Sequence, residues 1–155
     1  MSDTTRIRHA LLVAAVAAFY YFASTALMNR LPYASIPLWW FQNLPGGRSA
    51  MVLWLQLMDV SATLIAAFPI AVFLCWKVHR LRYSTSLLAA GVTSIIVATQ
   101  VFTYNDPTVH LSAHMQNLIF LNAVVEVTAF LFAPVVLVAL ISLLPSNYQL
   151  ERTRS

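Results

Sequence analysis

The sequence predicts an all-α protein, a four-helix polytopic transmembrane bundle with both termini cytoplasmic, and three observations carry that reading. Of its 155 residues, 60% are hydrophobic and only 9% are charged, whereas soluble domains carry about 25% charged residues. Four runs, at about 10–28, 51–76, 84–103 and 117–144, are long and apolar, and a spanning helix needs about 20 such residues. Basic residues gather at alternate edges of those runs. Arg6 and Arg8 precede the first, Lys77, Arg80 and Arg82 separate the second from the third, and Arg152 and Arg154 end the chain. The remaining connections hold only Arg30 and Arg48. The bias of Lys and Arg toward the cytoplasmic side then puts both termini and the middle connection there. Little chain is left for a soluble part, so residues 1–155 read as a single integral membrane domain. The net charge of +4 sits at membrane edges and calls for no nucleic acid.

The first helix, 10–28, begins like a signal peptide, with basic residues, an apolar run and Ala23-Ser24-Thr25-Ala26. Its apolar run continues through Tyr20, Tyr21 and Phe22 to Met28, longer than a signal core, so an uncleaved helix is expected. The outer loop, 29–50, carries Ile36, Leu38, Trp39, Trp40, Phe41 and Leu44 before Pro45-Gly46-Gly47. That stretch is too short to span and predicts one or two helical turns in the interface, then a sharp turn into the second helix. Trp39, Trp40, Phe41 and Tyr104 fit an outer aromatic belt, and Trp76, Tyr83 and Tyr148 an inner one.

The second helix, 51–76, contains Asp59 and Pro69, and the short connection after it predicts a tight hairpin with the third, 84–103. Beyond that, Asn105-Asp106-Pro107 supplies a favoured N-cap and a favoured first helical residue, so a helix is expected from Pro107 onward. It would lead into the fourth span, 117–144, which contains Glu126 and Pro134. Each proline frees a carbonyl one turn back, which is tolerated where helices pack around it. The single cysteine, Cys75, excludes disulfide exchange of the thiol-oxidase kind.

The candidate functional residues follow from the two acids. A carboxylate near the membrane centre costs roughly 2.5–3.5 kcal/mol on insertion scales, which makes Asp59 and Glu126 a functional hypothesis by default. Gln56, Asp59 and Thr63 share one helical face, as do Asn122 and Glu126. Both acids lie about 12 Å from the outer ends of their runs at 1.5 Å per residue. Gln100 and Thr103 on the third helix, and Tyr20, Tyr21, Ser24 and Thr25 on the first, complete a polar outer half. The expected site is an outward-opening pocket in which Asp59 and Glu126 act as acid and base or as a proton or cation site. Gln56, Asn122, Gln100, Tyr20 and Thr63 would bind the ligand. No lysine or arginine lies at that depth, so the bland alternative is two acids that share a proton and glue helices together. Interhelical hydrogen bonds in membranes average about 0.6 kcal/mol, too little to offset the insertion cost.

His110 and His114 stand at i and i+4 on the expected helix, the spacing of a chelating pair, with Asp106 as a third ligand unless its carboxylate caps the helix. A complete ligand set is not legible, and no cofactor follows from the sequence. There is no Gly-rich phosphate loop, Cys-x-x-Cys, zincin pattern or serine-nucleophile context. In size and layout the bundle is similar to several families of small four-helix membrane proteins, including those resembling DoxX and those resembling anthrone oxygenases. No motif assigns it to either, and no family activity is carried over.

Three functions fit these residues. The first is an accessory or interaction subunit of an inner-membrane assembly, partnered by another membrane protein or by copies of itself. The second is a membrane-embedded oxidoreductase or isomerase acting on a quinone or polyketide. The third is a small proton- or cation-coupled transporter. A bacterial inner membrane is the expected location.

Overall fold

The computed structural model describes residues 3–34, 39–43, 45–78, 80–103 and 113–143. All secondary structure among them is helical: α1 (Asp3–Met28), α2 (Leu31–Ala34), α3 (Trp39–Gln42), α4 (Gly47–Lys77), α5 (Arg82–Thr103) and α6 (Ala113–Leu143). Four of these, α1, α4, α5 and α6, are long and apolar enough to cross a membrane. They match the four expected runs, with α1, α4 and α6 extended at their N-terminal ends. The expected helix start at Pro107 lies outside the described residues.

Long helices alternate in direction. His9 bonds to Thr85, and Thr93 to the carbonyl of Ala17, at the same separation of 76 residues, so α1 and α5 run parallel. One end of the bundle is therefore basic, with Arg6, Arg8, Lys77, Arg80 and Arg82, and the other carries α2 and α3. The latter is called the aromatic end below.

In cross-section, α1 and α6 occupy one diagonal and α4 and α5 the other. The extensive contacts are α4 with α6, α5 with α6, and α1 with both α4 and α5. Although only 78–81 join them, α4 and α5 touch little, which corrects the expectation of a tightly packed hairpin. Small side chains explain the arrangement. On α4, Ala62, Thr63, Ala66, Ala67, Ile70, Ala71 and Leu74 are buried, and on α5, Thr85, Ser86, Ala89, Ala90, Thr93 and Ser94. Spacings of three and four residues put each set on one face. Alanine, serine and threonine let backbones approach closely, which is how helices associate where lipid leaves no hydrophobic driving force between them. Many of the larger hydrophobic side chains, among them Phe19, Phe68, Ile95 and Leu140, are exposed on the outside of the bundle.

The turn into α4 depends on two glycines. Gly46 has φ 70°, a left-handed conformation that disfavours residues with a Cβ. At Gly47 a Cβ would lie 1.7 Å from the carbonyl oxygen of Phe41. That close approach seats Phe41 in the bundle, its ring 6.3 Å from Trp54 of α4, while Trp39 and Trp40 remain exposed.

Hydroxyls tie the helices together through backbone carbonyls. Tyr20 donates to the carbonyl of Phe130 at 3.3 Å, with the two rings 5.3 Å apart. Phe130 is four residues before Pro134, which has no N–H to give it, so Tyr20 of α1 occupies the acceptor that the proline of α6 leaves open. Ser94 donates to Val127 at 3.5 Å. Near the basic end, Ser142 and Cys75 both donate to the carbonyl of Val138, at 2.5 and 3.7 Å.

Candidate functional site

Asp59 and Glu126 stand at one level of the bundle. Cys75 of α4 contacts Ser142 of α6 across a separation of 67 residues, and Asp59 and Glu126 are separated by the same number. On parallel neighbouring helices an equal offset puts each pair at a common depth.

Both acids face inward. Asp59 is one turn before the buried Thr63, and Glu126 one turn before the buried Phe130, so each continues the packed stripe of its helix. The bundle loosens at this level. From Ala50 to Ser61 no residue of α4 is fully buried, and between Gln116 and Ala129 of α6 only Ala123 is. Below it, toward the basic end, Tyr20, Thr63, Ala66 and Phe130 close the interior. The acids thus sit at the level where the packing of the described residues loosens toward the aromatic end, each half-buried.

Neither carboxylate has a hydrogen-bond partner among the described residues. Gln56 and Asn122, both half-buried, lie three and four residues toward the aromatic end from the acids, on the same helical faces. Ser24 is fully buried on α1 and its Oγ has no partner among the described residues. It lies one turn toward the aromatic end from Tyr20, while Glu126 lies one turn that way from Phe130, so the antiparallel α1 and α6 bring Ser24 to the level of the acids.

The other expected ligand-binding residues are otherwise engaged. Thr63 donates to the backbone carbonyl of Asp59 at 2.7 Å, and the hydroxyl of Tyr20 is held by Phe130. Gln100 is exposed, and its amide donates to the hydroxyl of Tyr21 at 2.7 Å, which closes the seam between α1 and α5 instead of reaching the acids. His110 lies outside the described residues, as does the side chain of His114. No group of three or more His, Cys, Asp or Glu with metal-binding geometry occurs among the described residues.

Two polar contacts escaped the sequence reading. His9 and Thr85 meet at 3.0 Å near the basic end, and Cys75 meets Ser142. A histidine one turn inside a basic N-terminal segment signals the first. Nothing in the sequence signals the second, because the partners lie on different helices.

A cleft of about 330 Å³ between α1 and α4 is lined by carbon, including Leu12, Phe19, Pro69 and Phe73. Pro69 is ten residues from Asp59, about 15 Å along the helix, so this apolar space and the acid pair are separate. No protein-family model, curated protein or solved structure matches the chain.

Proposed function

We propose that this is a multi-pass protein of an inner membrane, with both termini cytoplasmic, whose Asp59–Glu126 pair binds a proton or small cation in the service of transport. The observation that carries the reading is the pairing itself. Two acids stand at one depth, face the interior and have no ion-pair partner among the described residues. Acids inside spans that face a bundle interior or a wet cavity mark ion and proton pathways. A cation between them would cancel their repulsion and offset the cost of keeping them out of water. Gln56, Asn122 and Ser24 supply neutral oxygens around the same point. The tightly packed half below the acids fits a site that exchanges with the aromatic side and is gated toward the basic side. A complete pathway in a bundle this small would use a homo-oligomer.

The accessory-subunit reading is supported by a different observation, the exposed Trp39 and Trp40 on α3, which offer a partner an aromatic surface at the membrane edge. Inward-facing acids argue against their serving as the contact for such a partner. The enzyme reading, with Asp59 or Glu126 as general base toward a lipophilic substrate, draws on the same acid pair, and the apolar cleft between α1 and α4 adds nothing to it because no lining residue is an acid or base.

Flux into liposomes separates these readings. Purified protein reconstituted with a pH-sensitive or cation-sensitive dye inside should carry pH-dependent flux. Asp59→Asn and Glu126→Gln should each abolish it while keeping the melting temperature. A wild type that carries no proton or monovalent cation, yet leaves its host membrane bound to another membrane protein, would replace the transport reading with the accessory one.

A further inference from the structure

The cleft between α1 and α4 is independent of the acid pair, and its shape and rim identify a ligand. Val16 and Ile70, both buried, form its floor, and Leu12, Ala15 and Phe19 face Pro69 and Phe73 across it. Ala15 is the notch that keeps it open between the larger Leu12 and Phe19. The cleft follows α1 over the eight residues 12–19, about 10 Å, and its lining is almost wholly apolar. It opens on the outer surface, where Phe19, Pro69 and Phe73 are exposed.

The rim at the basic end is cationic. One turn beyond Leu12 on the same face of α1 is Arg8, and one turn beyond Phe73 on α4 is Lys77, both exposed. Because α1 and α4 run in opposite directions, both continuations lie at the same end of the cleft. Lys77 Nζ stands 5.2 Å from the centre of the Trp76 ring, an aromatic neighbour suited to the headgroup boundary.

We propose that this cleft holds one acyl chain of an anionic phospholipid, with its headgroup phosphate between Arg8 and Lys77. A stretch of acyl chain suits the apolar trough, and the two cations at its end match a negative headgroup and discriminate against a zwitterionic one. Two basic residues at the membrane surface should give a preference on the order of tenfold.

The test is native mass spectrometry of the full chain in mild detergent, with equal amounts of phosphatidylglycerol and phosphatidylcholine carrying the same acyl chains. Wild type should retain phosphatidylglycerol roughly tenfold over phosphatidylcholine. Arg8→Gln combined with Lys77→Gln should retain both lipids equally. Ala15→Trp should lose both while its circular dichroism and melting match wild type, with Ala15→Leu as the milder filling variant should tryptophan prevent folding. Equal retention of the two lipids by wild type would overturn the proposal. So would phosphatidylglycerol binding unchanged in the folded variants, or a dimer whose formation Ala15→Leu abolishes without any change in bound lipid.

Discussion

Replacing Tyr20 with phenylalanine removes one hydroxyl from the centre of the bundle and little else. That hydroxyl donates to the carbonyl of Phe130 at 3.3 Å, long for an O–H donor, and interhelical bonds in membranes average about 0.6 kcal/mol with a maximum near 1.7. Leaving the carbonyl without a donor adds part of its desolvation cost, so Tyr20→Phe should destabilise by about 1 kcal/mol. The decisive comparison uses Pro134, the residue whose missing N–H leaves that carbonyl open. In Pro134→Ala the backbone N–H at position 134 can reach the carbonyl of Phe130, and the hydroxyl becomes redundant. Tyr20→Phe in that background should then cost about 0.3 kcal/mol or less, a coupling measurable by a double-mutant cycle. Unfolding of the four proteins by denaturing detergent in mixed micelles reads it directly. Equal costs of Tyr20→Phe in both backgrounds would refute the account of how α1 and α6 are joined across the diagonal.

Other perturbations should separate as follows. Gly46→Ala, at φ 70°, should cost about 1–2 kcal/mol of left-handed strain. Gly47→Ala should cost more, because its Cβ would collide with the Phe41 carbonyl, and it alone should change Trp54 fluorescence by displacing the Phe41 ring. Thr85→Val should lower stability by about 0.5–1.5 kcal/mol through loss of the His9 contact, read as a shift of the same unfolding curve. In a Cys75→Ala background, a cysteine at Gly46 should react with a membrane-impermeant maleimide added to intact cells, and one at Arg80 only after lysis, if the basic end is cytoplasmic.

Sequence periodicity and charge made the four long helices legible, because length and apolar run are local properties of the chain. The short helices α2 and α3 were legible only as an interfacial stretch, since their seating on α4 depends on the backbone meeting of Gly47 and Phe41. Asp59 and Glu126 were found because acids are costly in a span, and their equal depth followed from counting along two runs. What counting could not supply was direction and commitment. Tyr20 and Tyr21 are adjacent, yet one fills the core against Phe130 and the other closes a seam with Gln100. Thr63 shares the face of Asp59 but spends its hydroxyl on its own helix. The diagonal placement of α4 and α5 was equally hidden, because a short connection implies proximity in the chain while small-residue faces decide which helices pack.

The most direct test of the paired-acid site is the melting temperature of purified wild type, Asp59→Asn, Glu126→Gln and the double variant across pH and across lithium, sodium, potassium and ammonium salts. A ligand that binds the folded site raises its stability in proportion to the logarithm of concentration over Kd. The account predicts that protons or one of these cations stabilise wild type in a saturable way, and that either single variant loses the response. Four proteins that melt in parallel under every condition would contradict it.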